Sequence, residues 1–222
     1  MTFLETYNSI MGNLILEARH QLVAIFPGGF KPPHKGHYEL VKAYASDPII
    51  SEVKILLGPK VRKDKRNKVT ITEKMSREIW ENYYIPTLPG NVVVDDAPDP
   101  VPVRASYVYV QEIAPEGEFI TLMSSIKDKD DAKRSKEFAQ KHNPDEKYYR
   151  EGVTVVYYPK DTVARYEDRM GETKKMNGKS ISASMMREDI ANRDLDNFVT
   201  NLPDEVREDA DDILNILNPH GP

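Results

Sequence analysis

Two histidines, His34 and His37, stand three residues apart just behind a glycine pair, Gly28-Gly29, and a proline pair, Pro32-Pro33. Imidazoles at that spacing on the first turn of a helix face one side, and each can donate to an anion or bind a metal. A glycine turn running into helix N–H groups suits phosphate, because the unpaired amides and the positive helix end point the same way. A second group lies far along the chain, at Ser180-Ile181-Ser182-Ala183-Ser184-Met185-Met186-Arg187. Ser182 can cap a helix there, its hydroxyl and the neighbouring N–H groups suit an anion, and Arg187 supplies a planar fork of donors. A capped helix alone would account for Ser182, and Ser-x-x-Arg by itself is a weak signal. Zinc is the rival partner for His34 and His37, although no third ligand stands at a matching spacing.

These groups need elements to hold them. The run 22–26 is β-branched and aromatic enough for a central strand, stopped by Pro27-Gly28-Gly29. Pro32 and Pro33 keep the chain extended until a helix begins near Gly36-His37 and carries Leu40, Val41 and Tyr44 on one face to about Ala45. Residues 51–58 read as strand two, completing a right-handed βαβ unit. Strand three follows at 91–94, a helix at about 103–113, strand four at 118–123, a helix at 131–141 and strand five at 153–158. Between strand two and the next helix, Lys60, Arg62, Lys63, Lys65, Arg66 and Lys68 place six basic residues inside nine. Such runs are usually solvated, but at the carboxyl edge of a strand one or two of these cations, Lys65 among them, are expected to reach a phosphate. Thr70 and Glu73 are spaced as the capping box of a helix opening near Val69.

The ends add helices. Leu4, Tyr7, Ile10, Met11, Leu14 and Ile15 recur at helical intervals over 3–19, a face for the domain or for a partner subunit, which leaves a homo-oligomer open. Val206, Ala210, Ile213, Leu214 and Leu217 do the same in a closing helix over 204–217, while 160–178 reads as an active-site loop. The expected organisation is a helix at 1–19, one catalytic domain at 20–200 and a terminal helix within 201–222. Its fold class is α/β: a Rossmann-like, doubly wound, parallel five-stranded sheet with added N- and C-terminal helices.

Composition narrows the function. The 222 residues are 39% hydrophobic and 30% charged, which fits a globular protein and leaves no membrane span. Glu5 and Glu17 interrupt the N-terminal stretch, so it does not read as a secretion signal. The absence of cysteine excludes disulfides, thiolate metal sites and cysteine nucleophiles. A net charge of −5 argues against broad nucleic-acid binding. A cytoplasmic enzyme of small molecules, with neither nucleic acid nor membrane as partner, is the expectation.

The stretch Gly28-Gly29-Phe30-Lys31-Pro32-Pro33-His34-Lys35-Gly36-His37 resembles the G-x-F-x-P-x-H-x-G-H signature of the nucleotidylyltransferase superfamily. Ser180 to Arg187 resembles the I-S-x-[ST]-x-x-R element that the superfamily places beside the triphosphate. The wording is closest to archaeal-type nicotinamide-mononucleotide adenylyltransferases, which have Gln or a similar residue where Lys31 stands, whereas many bacterial relatives have Asp. The resemblance covers roughly 22–198 as an architecture, with specificity only in the two motifs. It implies transfer of an adenylyl group from ATP, with magnesium carried on the nucleotide, to a phosphate-monoester acceptor, nicotinamide mononucleotide first. Phosphopantetheine and cytidylyl acceptors such as glycerol phosphate are the alternatives.

The catalytic set implied is His34, His37, Lys31 and Arg187, with Gly28, Gly29, Phe30, Gly36, Ser182, Ser184 and Lys65 around the phosphates. Lys127 and Asp128, after strand four, fall where relatives make acceptor or ribose contacts, although a polar loop with a helix cap at Asp130 or Asp131 would read the same. Tyr107 or Trp80 would offer an aromatic face to a pyridine ring. Lys74-Met75-Ser76 looks like the start of a synthetase K-M-S-K-S loop, but it comes too soon after His37 and inside a capped helix. A non-catalytic nucleotide sensor and a tRNA-linked role remain as other function classes.

Overall fold

The computed structural model describes residues 22–126, 128–161 and 183–219. The helix expected at 3–19, nearly all of the 160–178 loop, Lys127 and Ser182 lie outside them. Strand β1 (Leu22–Gly28) is the centre of a five-stranded, all-parallel sheet. It pairs on one side with β2 (Ile50–Leu57), which pairs with β5 (Val92–Asp96). On the other side lies β6 (Phe119–Leu122), followed by β7 (Thr154–Val156). The spatial order β5-β2-β1-β6-β7 means that the chain winds outward from β1 twice, in opposite directions. The carboxyl ends of β1 and β6 therefore flank the switch point, where open α/β sheets form a crevice. The protein has the doubly wound, Rossmann-like α/β architecture that the alternating strands and helices predict.

Both faces of β1 are covered, which is why its sequence is an unbroken apolar run. Leu22, Ala24 and Phe26 point into one core with Tyr38, Val41 and Tyr44 of helix α1 (Lys35–Ala45) and Ile79 of α2 (Glu73–Ile79). Val23 and Ile25 point into the other with Tyr109, which follows α3 (Pro102–Val108), and Phe138 of α4 (Lys129–Gln140). Each fully buried side chain of this kind contributes about 1.5–3 kcal/mol. Helices α5 (Ala183–Asn192), α6 (Leu195–Thr200) and α7 (Ala210–Leu217) place Met186, Ile190, Phe198, Ile213, Leu214 and Leu217 in the first core. No helix among the described residues is long and apolar enough to cross a membrane.

Three local expectations need correction. The helix expected to open near Val69 does not: Val69–Ile71 is strand β4, antiparallel to β3 (Arg62–Asp64), so the basic run forms a hairpin. Val69 and Ile71 are buried there, and a strand brings both to one face, as one helical turn would not. The cap is Thr72, whose hydroxyl accepts the Met75 N–H, so the Thr70–Glu73 box is absent. The closing helix is also divided, with a 3₁₀ segment at Asp204–Asp209 that breaks at Val206 before α7 starts. Finally, the helix expected at 103–113 is α3 followed by a π turn at Tyr109–Ile113.

Candidate functional site

Hydrogen bonding holds the carboxyl end of β1 against that of β2, with the Gly58 N–H donating to the Gly28 carbonyl at 2.8 Å. Gly28 has to be glycine, because a Cβ there would lie 2.5 Å from the Phe30 ring. That ring turns back over Gly28 because Phe30 adopts φ 47°, a left-handed conformation strained for a bulky residue. Phe30 is buried edge-on between Phe26 and Trp80, and it forms the floor beneath His37 at 5.0 Å between ring centroids. The buried Ser76 hydroxyl donates to the Phe30 carbonyl at 2.7 Å and holds the turn from α2.

His34 and His37 do meet as their spacing predicts. His34 is the N-cap of α1, and its Nδ1 accepts the Gly36 N–H at 3.2 Å. His37 reaches back so that its Nδ1 accepts the His34 N–H at 3.3 Å, closing a reciprocal capping box with imidazoles in place of hydroxyl and carboxylate. A ring whose Nδ1 accepts must, when neutral, carry its proton on Nε2, so these partners assign both histidines as Nε2–H donors. The two rings stack at 3.8 Å between centroids. The first turn of α1 thus combines two imidazole donors with the helix's own positive end.

The C-terminal motif arrives at the same loop. Arg187, on α5 and only 4% exposed, donates through Nη1 to the Lys31 carbonyl at 2.9 Å, through Nη2 to the Ser184 hydroxyl at 3.0 Å and through Nε to Asp64 at 2.8 Å. A guanidinium has five N–H groups, so one remains on each Nη. Asp64, in turn, is held below the usual carboxylate range by Arg187 and by the turn N–H groups of Asn67 and Arg66. A second connection runs through Asn201, whose carbonyl accepts the Lys35 N–H at 2.9 Å and whose side chain donates to Asp189 of α5 at 2.8 Å. Burial, with Asp194 nearby, pushes the Asp189 carboxyl up to about 6.

Lys31 is buried and donates to the Gly58 carbonyl at 3.2 Å, so it joins the two strand ends. Burial lowers its pKa from 10.5 to about 8, with Glu73 opposing the shift and Arg77 adding to it. Below about pH 8 the fold bears the full cost of the buried charge. Between 8 and 10.5 the unfolded chain binds a proton that the folded one has lost, so this group makes stability rise with pH. Lys31→Met is expected to be more stable near neutral pH and to lose that rise. Urea midpoints for both proteins across this range test it, and parallel profiles would refute the assignment.

Other expected site residues are placed differently. Lys65 lies exposed in the β3–β4 turn. Asp128 is the N-cap of α4, and its Oδ1 accepts the Asp130 and Asp131 N–H groups, so the cap falls there and not at Asp130 or Asp131. Trp80 is fully buried in the core and cannot face a pyridine ring. Tyr107 stacks on Tyr148 at 4.1 Å and packs on Phe138, in the opposite core. Sequence reasoning passed over Asp64, Ser76 and Asn201. Asp64 alone carried a signal, as the one acid inside the basic run. Among the described residues no group of three or more His, Asp or Glu could hold a metal, so the zinc reading of the histidines finds no third ligand there. No protein-family model matches the chain, and no curated protein matches it.

Proposed function

We propose that the protein is a nucleotidylyltransferase that moves an adenylyl group from ATP to a phosphate-monoester acceptor and releases pyrophosphate. The observation that carries this reading is the convergence of the two motifs on one loop: stacked imidazoles at the first turn of α1, and Arg187 of α5 bound to the Lys31 carbonyl. In such a transfer an acceptor phosphate oxygen forms a bond to the α-phosphorus while the bond to the α,β-bridging oxygen breaks, and pyrophosphate takes that electron pair. Charge develops on the α-phosphate oxygens and on the bridge, so fixed donors are what the reaction needs. His34 and His37 supply them through Nε2–H. The two remaining Nη N–H groups of Arg187, with Ser184 beside it, suit the leaving phosphates. Magnesium arrives on the triphosphate, bound by phosphate oxygens and water.

Nicotinamide mononucleotide is the first acceptor on the wording of the histidine motif alone, since Trp80 and Tyr107 offer it no ring face. The test is a matrix of ATP and CTP against nicotinamide mononucleotide, phosphopantetheine and glycerol phosphate, read by pyrophosphate release. ATP with nicotinamide mononucleotide is expected to be fastest. Equal or faster turnover with CTP would refute the adenylyl assignment, and nucleotide binding without pyrophosphate release in any pair would make the protein a nucleotide sensor.

A further inference from the structure

The β3–β4 hairpin is a cationic ribbon with one acid. Lys60, Arg62, Lys63, Lys65, Arg66 and Lys68 are all exposed, on a protein whose net charge is −5. Among the described residues none of these six is seen in an ion pair, so the ribbon's positive charge is not offset by a carboxylate paired to any of them, as it is at Lys42, Arg77 and Arg104. Holding like charges together on so short a hairpin is electrostatically unfavourable, and an anion relieves it.

The hairpin is also built and aimed. Val69 and Ile71 are buried and seat β4 against the core. Asp64 pairs with Val69 across the ribbon, which places its side chain on the inward face. Its carboxylate performs two tasks. Oδ1 accepts the Arg66 and Asn67 N–H groups at 3.1 and 3.2 Å and shapes the turn, while Oδ2 accepts Arg187 Nε at 2.8 Å. The turn carrying Lys65 and Arg66 is thereby tied to the guanidinium that touches the histidine loop.

We propose that the hairpin is a polyphosphate-binding arm, holding the β- and γ-phosphates of the nucleotide and then the pyrophosphate, with Asp64 as the positioning residue that fixes the arm through Arg187. The proposal rests on the nucleotide reading above only for the source of the polyphosphate. Exposed cations add modest increments each, so several must be removed together.

The experiment compares inorganic tripolyphosphate, ATP and AMP binding to the full chain by calorimetry at several salt concentrations, with and without Lys63→Gln, Lys65→Gln and Arg66→Gln combined. The triple variant is expected to bind tripolyphosphate and ATP roughly tenfold more weakly, with a flatter salt dependence and AMP affinity almost unchanged. Asp64→Asn keeps an oxygen for the turn but loses the charge facing Arg187, and is expected to weaken ATP in the same direction. Unaltered tripolyphosphate and ATP affinity in the triple variant would overturn the proposal, as would an equal loss for AMP. Hairpin-dependent binding of a single-stranded oligonucleotide without any of tripolyphosphate would overturn it too, assigning the ribbon to nucleic acid. Hairpin-dependent ATP binding with no pyrophosphate release would leave the arm standing and remove the transfer reading.

Discussion

His37→Ala is expected to lower kcat roughly 10²- to 10³-fold, the loss typical of one preorganised donor at developing charge. The structure adds a second, smaller effect. His37 Nδ1 accepts the His34 N–H, so alanine also removes half of the capping box at α1, a change of about 1 kcal/mol by analogy with other caps. Steady-state pyrophosphate release and thermal unfolding separate the two, because a lost cap shifts the melting temperature and leaves the chemical step alone. A variant that melts earlier yet turns over at the wild-type rate would make His37 a capping residue and nothing more.

Arg187→Ala is expected to raise the Kd of ATP and of pyrophosphate roughly 10- to 100-fold, since a hydrogen bond to a charged group is worth about 1.5–3 kcal/mol. Acceptor affinity should hardly change. Stability should fall as well, because Arg187 is buried with three partners, and its removal leaves Asp64 Oδ2 and the Lys31 carbonyl without this donor. Arg187→Lys is expected to recover part of the ATP affinity, as an ammonium keeps the charge but cannot serve Asp64, Lys31 and a phosphate through one planar group. Unchanged affinity for both ATP and pyrophosphate in Arg187→Ala would show a structural cross-link rather than a phosphate ligand, and isothermal titration decides it.

The central strand was legible because both faces of β1 are covered, and the resulting apolar run is hard to mistake. The pairing of His34 with His37 was legible because it is local, three residues on one helix turn. The hairpin was not. A ribbon whose outer positions are Lys and Arg lacks apolar alternation, and its only buried pair, Val69 and Ile71, fits the approach to a helix as well as a strand. Trp80 and Tyr107 misled for a different reason, since an aromatic residue reads the same whether it lines a crevice or fills a core. Arg187 was noticed as a donor, but its partner Asp64 lies 123 residues away, and nothing in one sequence pairs such positions.

The clasp between the start of α1 and the region after α6 bears on how the protein is made. The Lys35 N–H donates to the Asn201 carbonyl, Lys35 pairs with Asp204, and Lys42 pairs with Glu205. On a ribosome the histidine loop emerges some 170 residues before the groups that close the base of its helix. Until then the nascent segment has β1 and the two imidazoles but lacks the tail residues Val206, Ile213 and Leu214 that belong to the same core. Long-range closure of this kind is slow and leaves apolar surface open while synthesis continues. The histidine turn is thus written well before the segment that completes it.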